Sequence, residues 1–388
     1  YFLLKLVLFP MATEFANKQL SEFTKKTNHV RIAFEKFDIH FLNPSLQIDN
    51  VEINSNDELK KDFYNVAIEK VTLKVDFFQL ILGKLNFNLL LADNCRVNVK
   101  VDYLTEEKSD SKKIPIKELH QFLTQIPIER VRVDRLNVSL ASDKMKKELI
   151  IKDGEVRSSY LDRKLLLRID FKENELKQSS DNKILTFNFT LNSLLNNENL
   201  VIREFDFQSR EMNLNIEGEI KKLEQLLETP LGQLKVKTNF DGEKLTHVFN
   251  DFNIFKIKSH ITGKVDLNSR FEFSSFKEIN GNLDLKSEQL TFDKFEFGSA
   301  NITAQIQKNK LRLSNIDFNH PSGQIKLKNT QVELEGNFQF DSEVLINGID
   351  FQKLFLSLNL KNIPVDMGLD GEFSCHGQIQ NFENSCKG

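Results

Sequence analysis

The sequence predicts a mostly β fold: an elongated, curled antiparallel sheet, or repeating β-groove, with a few short helices. Three observations predict it. Apolar and polar residues alternate at period two through nearly the whole chain after residue 28. Asn, Asp, Gly and Ser cluster between the alternating runs and mark turns. The apolar residues are mainly Phe, Leu, Ile and Val, with 34 Phe against 4 Tyr and no Trp in 388 residues. A face built from them offers area without a hydrogen-bonding handle.

The runs follow in order. Residues 30–41 alternate with a one-residue phase slip between Phe34 and Phe37, the mark of a bulge. Val71, Leu73, Val75 and Phe77 come next, then Leu85, Phe87, Leu89 and Leu91, then Val97, Val99 and Val101. Val131 and Val133 lead to Leu136, Val138 and Leu140. In the middle lie Leu165, Leu167, Ile169 and Phe171, then Leu185, Phe187, Phe189 and Leu191, then Phe205 and Phe207 before Met212, Leu214 and Ile216. The last third is close to pure alternation: Ile261, Val265 and Leu267, Leu283 and Leu285, Phe295 and Phe297, Ile302, Ala304 and Ile306. Leu311 and Leu313, Ile316 and Phe318, Ile325 and Leu327, Val332 and Leu334, and Phe338 and Phe340 complete it. This makes about twenty strands with short connections, which reads as antiparallel neighbours.

Short helical stretches punctuate the strands. One covers residues 115–125 after a polar loop at 105–113, a second 221–228, closed by Thr229-Pro230, a third 243–252 and a fourth 350–355. The third and fourth precede similar strand sequences, which reads as a weak internal repeat.

At the N-terminus Tyr1 to Phe9 is apolar except for Lys5. Nine residues do not span a bilayer, which takes roughly 20. Residues 1–9 read as the tail of a membrane-spanning helix, the end of a signal peptide or a first strand; the first is favoured because an amphipathic helix is expected directly after, at 11–26, with Phe15, Leu20 and Phe23 on one side. The organisation that follows is a membrane-anchor end plus amphipathic helix at 1–28, an N-terminal β-groove at 29–240 with the helical insert near 115–125, and a continuing groove at 241–388. The chain reads as a fragment of a longer protein.

Several functions are expected to be absent. With 53 Lys+Arg against 56 Asp+Glu, the formal charge is −3, which argues against a nucleic-acid binder. Seven histidines are scattered without metal-ligand spacing, and no phosphate-loop, dinucleotide or nucleophile-elbow motif occurs. No enzyme activity, cofactor or metal is expected. Cys95, Cys375 and Cys386 form no CxxC pair, and the sequence leaves open whether Cys375 and Cys386 are joined. Asn137, Asn188 and Asn301 fit the glycosylation sequon but lie inside strands. The basic run Lys144 to Lys147 reads as a hairpin turn before it reads as a contact for anionic headgroups.

A sheet with one apolar face must bury it. One solution is a β-sandwich, in which the faces cover each other. The other is a single sheet curled into a trough on the order of 100 Å long, with lipid as the missing partner. The candidate lining positions are the groove-facing members of the runs above, from Val75 to Phe340.

The stretches VRIAFEKFDIHFLNPSLQIDNVEI (30–53) and KVTLKVDFFQLILGKLNFNLLLADNCRVNV (70–99) carry a resemblance, with Val75-Asp76, Leu80 and Gly83-Lys84-Leu85 as its marks. So do the later strands that open on Gly263 and Gly371. The chain resembles the AsmA-like family of Gram-negative envelope proteins, including its relative TamB. That resemblance implies an inner-membrane anchor through an N-terminal helix, with the bulk of the chain in the periplasm. It also implies a repeating β-groove that carries phospholipid toward the outer membrane, with outer-membrane or periplasmic partner proteins. Two alternatives stay open: an assembly scaffold for outer-membrane proteins that works by strand addition, or a soluble β-sandwich binding protein.

Overall fold

Strands form where the alternation is, because every second side chain can then face the same side of a pleated sheet. The computed structural model describes residues 30–40, 43–55, 64–76, 87–102, 128–161, 164–178, 182–196, 199–223, 231–252, 261–275, 278–292, 295–308, 310–333, 339–357, 366–378 and 386–387. The helices expected at 11–26 and 115–125, and all but the start of that at 221–228, lie outside these residues. Among the described residues the fold is mostly β with two helices, the class the sequence predicts. None of the described helices is long and apolar enough to cross a membrane.

The chain falls into two compact units, Tyr1–Glu198 and Asn199–Gly388; the boundary read at residue 240 lies inside the second. In the first, the strands are β1 (Val30–Ala33), β2 (Lys36–His40), β3 (Ser45–Ser55), β4 (Tyr64–Val75), β5 (Phe87–Lys100), β6 (Arg130–Ser142), β7 (Lys147–Leu161), β8 (Lys164–Gln178) and β9 (Lys183–Leu195). β1 and β2 are the two halves of one strand on β3, separated at the expected phase slip. From β3 onward each strand pairs with the next. The expectation of purely antiparallel neighbours fails once: β5 and β6 are parallel. The physical reason is the long connection from Val101 to Glu129, which returns the chain to the same end of the sheet as no hairpin can.

The second unit contains β10 (Leu200–Ser209), β11 (Met212–Lys221), β12 (Leu231–Asp241), α1 (Gly242–Asp251), β13 (Ile261–Thr262), β14 (Lys264–Ser275), β15 (Glu278–Phe292), β16 (Phe295–Gln307), β17 (Lys310–His320), β18 (Gly323–Glu333), β19 (Gln339–Asp350), α2 (Phe351–Ser357), β20 (Gly368–Gln378) and β21 (Cys386–Lys387). All its pairings are antiparallel, with β12 passing over the two-residue β13 to pair with β14. Among the described residues neither unit lays a second sheet on the first.

The weak repeat has a local cause. Asp241 at the end of β12 accepts a hydrogen bond from the Lys244 amide at 3.2 Å, and Asp350 at the end of β19 accepts one from the Lys353 amide at 3.1 Å. Each lysine also pairs with its own cap, at 3.2 and 3.3 Å. The same Asp-x-x-Lys device therefore starts both helices by satisfying an orphan amide.

Extra residues in the strands line up. Asn50, Asn94, Arg135, Asp153 and Glu173 have φ between 52° and 54° and sit at matching levels of β3, β5, β6, β7 and β8. Asn50 Nδ2 donates to Glu35 at 2.5 Å, and Asn94 Nδ2 to Glu69 at 2.5 Å. Arg135 forks onto Asp93 at 2.8 and 2.6 Å. The Asp153 and Glu173 amides donate to Asn137 and Asn188. Two of the sequon asparagines thus support bulges. The register slips at this level in the β6–β7, β7–β8 and β8–β9 pairs, and bulges bend and twist the strands there.

Cys375 is disulfide-bonded, and its partner position across the β20–β21 pair is Cys386. Cys95 is a buried free thiol, and burial, with a smaller push from the Asp93 charge, raises its pKa to about 11. Native protein at about pH 8 should give no reactive thiol, because the thiolate is the nucleophile. Denaturation without reductant should release one, and thiol titration with Ellman's reagent checks both.

The β6–β7 turn is tied down by Asp102, which accepts from Ser142 Oγ at 2.6 Å and from the Asp143 and Lys144 amides at 2.5 and 3.1 Å. The Ser142 hydroxyl bond, followed by the two amides, holds the Asp102 carboxyl below the usual carboxylate range. Its contribution is therefore complete above the unfolded value of about 3.9 and is lost as pH falls through the folded value. Thermal melts of native chain and Asp102→Asn should differ above about pH 5 and converge as the pH drops below 3.9.

Candidate functional site

Cross-strand registers place the apolar residues on one side of each sheet. In the second unit one row runs Phe207, Leu214, Thr238, Leu267, Leu285, Ile302, Ile316, Leu327, Val344 and Phe373, each directly opposite the next. A parallel row runs Leu234, Phe271, Gly281, Ile306, Leu311, Val332 and Phe340. Gly281 breaks the row of side chains, but a Cβ there would sit 2.7 Å from the Phe271 ring, so the ring fills the gap. In the first unit a row runs Phe37, Ile48, Val71, Ala92, Val133, Val156, Ile169 and Leu191. Beside it run Leu46, Leu73, Leu90 and Val131.

The other side is polar. Asn213, Asn239, Asp266, Lys286, Asn301, Asp317 and Lys326 form the corresponding row behind the second unit's apolar face. A hollow of about 740 Å³ lies on that polar side, between residues such as Asp206, Lys237, Asn239 and Asp266. Asn239 and Asp266 hydrogen-bond each other there. The hollow holds no cluster of metal-ligating residues, and none occurs among the described residues. We weight the apolar face over this hollow because apolar side chains recur on it from strand to strand.

Burial on the apolar face is uneven. Val265 and Phe340 are 3% and 5% exposed, and Ala300, Ala304 and Ile316 are also buried. Phe340 packs with Val332 and Cys375, flanked by Leu311, Leu313, Val344 and Phe373. Leu267, Leu285, Ile302, Leu327 and Val344 are half-buried. A sandwich interior would bury them; here apolar surface stays open along the row.

Most expected lining positions that the structure describes lie on the apolar face of their own unit. Val75 pairs with Phe87, Val99 with Leu140, Val138 with Ile151 and Leu167 with Ser158. Phe189 pairs with Phe171 at 5.9 Å between ring centroids, and Phe187 stands opposite Asn174 beside a bulge. Phe205 pairs with Ile216, Ile261 with Phe292, and Leu313 with Ala304. The Phe297 ring stacks on Phe318 at 4.8 Å. Phe77, Leu334, Phe338 and the Phe295 side chain lie outside the described residues.

Leu89 is a correction. It stands opposite Lys74, on the polar side. The register skips Asn88 between the Lys74–Leu89 and Val75–Phe87 pairs, so the phase flips and Leu90 and Ala92 carry the face instead. Leu90 and Ala92 were missed because residues 85, 87, 89 and 91 are all apolar and present an unbroken but misleading alternation.

No protein-family model matches the chain, and no curated protein matches it either. The reading of the face therefore rests on its own chemistry. Among the described residues it holds no cluster of metal-ligating side chains. It can take up apolar chains by burial, at about 0.8 kcal/mol per methylene.

Proposed function

We propose that the chain is a lipid-transfer protein of the AsmA-like type, anchored in a bacterial inner membrane and carrying phospholipid through the periplasm along its apolar face. The single observation that carries this reading is the row that crosses ten strands from Phe207 to Phe373 while Leu267, Leu285, Ile302, Leu327 and Val344 in it stay only half-buried. Acyl chains laid along such a row would be sheltered, with headgroups left in water. A face of apolar side chains suits a conduit, which should hold each lipid weakly. The disulfide at Cys375 fits an oxidising compartment such as the periplasm. The resemblance of residues 30–53 and 70–99 to the family supports the same reading.

The test is solvent extraction and mass spectrometry of the purified chain. Stoichiometric phospholipid supports the proposal. Lipid-free protein that also takes up none from vesicles overturns it.

A further inference from the structure

We infer that the β6–β7 hairpin is a docking tip for an anionic lipid bilayer. The registers align one edge of the first unit's sheet: Val30 opposite Ser55, Tyr64 opposite Val99, Lys100 beside Ala141, Ser142 opposite Lys147, Lys147 opposite Gln178, and Gln178 opposite Lys183. Val30, where the described chain enters β1, lies at this edge. The inference rests on the proposed reading of residues 1–9, which precede β1 in the sequence, as a membrane anchor. β6 lies four strand spacings from β1, about 19 Å, well within the reach of one bilayer surface.

The chemistry of the edge is that of an interfacial contact. Its described cations are Lys100, Lys144, Lys146, Lys147, Lys177 and Lys183, against the acids Asp102, Asp143, Glu148 and Glu175, the last paired with Lys177 at 3.0 Å. Asp102 is engaged by the turn, and Glu148 accepts from Ser139 Oγ at 2.7 Å. Two large apolar side chains stand out among the lysines: Met145 at the turn and Ile184, each 57% exposed. Lysines around protruding apolar groups match anionic headgroups over an acyl boundary. Asp102 presets the turn, so little order has to be gained on contact.

The chain has no Trp, so Met145→Trp makes a sole fluorescent reporter at the tip. The full chain would be mixed with vesicles of phosphatidylglycerol and phosphatidylcholine, or of phosphatidylcholine alone, with sedimentation measured in parallel. The expected result is a blue shift with the anionic vesicles only. Each lysine at an anionic surface is worth roughly fivefold in partitioning. Changing Lys144, Lys146 and Lys147 to Gln should therefore weaken the response by about a hundredfold. Leu161→Trp, on the opposite edge at a site 68% exposed, should not shift. A chain that sediments without a shift at Met145→Trp, or that shifts equally at Leu161→Trp, overturns the docking tip while the anchor stands. A chain that neither sediments nor shifts overturns both.

Discussion

Changing Leu267 and Leu285 together to Asp should strip the chain of bound phospholipid by an order of magnitude or more and leave a β-type circular dichroism spectrum. The two residues face each other across β14 and β15 in the middle of the long apolar row, and both are half-buried. Two carboxylates there would face an acyl chain with unpaired charge, which is far more costly than a lost contact. Because neither side chain is fully buried, each carboxylate keeps access to water in the lipid-free chain, so the fold survives. The matched control is Asn268→Asp with Asn301→Asp, which adds the same charge to the polar side. That variant should keep its lipid. Equal loss in both variants would mean that net charge, not the face, governs binding.

Phe340→Ala should be strongly destabilising, at about 3–5 kcal/mol. Its ring is 5% exposed and seals the cluster with Val332 and Cys375. Removing it leaves a cavity that Leu311, Leu313 and Phe373 can close only in part. Phe373→Ala, at a half-buried position in the neighbouring row, should cost clearly less. Urea unfolding of both variants gives the comparison directly. Similar midpoints would mean that Phe340 belongs to the open face and not to a dry core.

Strand alternation made the fold class legible, because Ile302, Ala304 and Ile306 or Leu283 and Leu285 leave little choice of side. Among the described residues the face was legible for the same reason, with Leu89 the exception. What stayed hidden was phase. Where apolar residues are three apart, as at Ile48 and Val51, Ala92 and Cys95, or Val133 and Leu136, the structure has a positive-φ residue between them, Asn50, Asn94 or Arg135. Single slips look like strand ends; only the structure shows that these residues align across the strands, with register slips from β6 to β9. The parallel β5–β6 pair was hidden too, because strand direction is set by the connection and not by the alternation. The Cys375 bond could not be read because two cysteines eleven residues apart do not reveal whether a turn brings them together.

The most direct test of the central claim is photo-crosslinking from paired positions on the two faces. A photoreactive amino acid would be placed one at a time at Leu285 and Ile302 on the apolar row, and at Asp284 and Thr303 directly behind it. Crosslinks to phospholipid at Leu285 and Ile302, with none at Asp284 and Thr303, are the expected result. Crosslinks of equal yield on both faces, or on neither, would contradict a lipid-carrying apolar face.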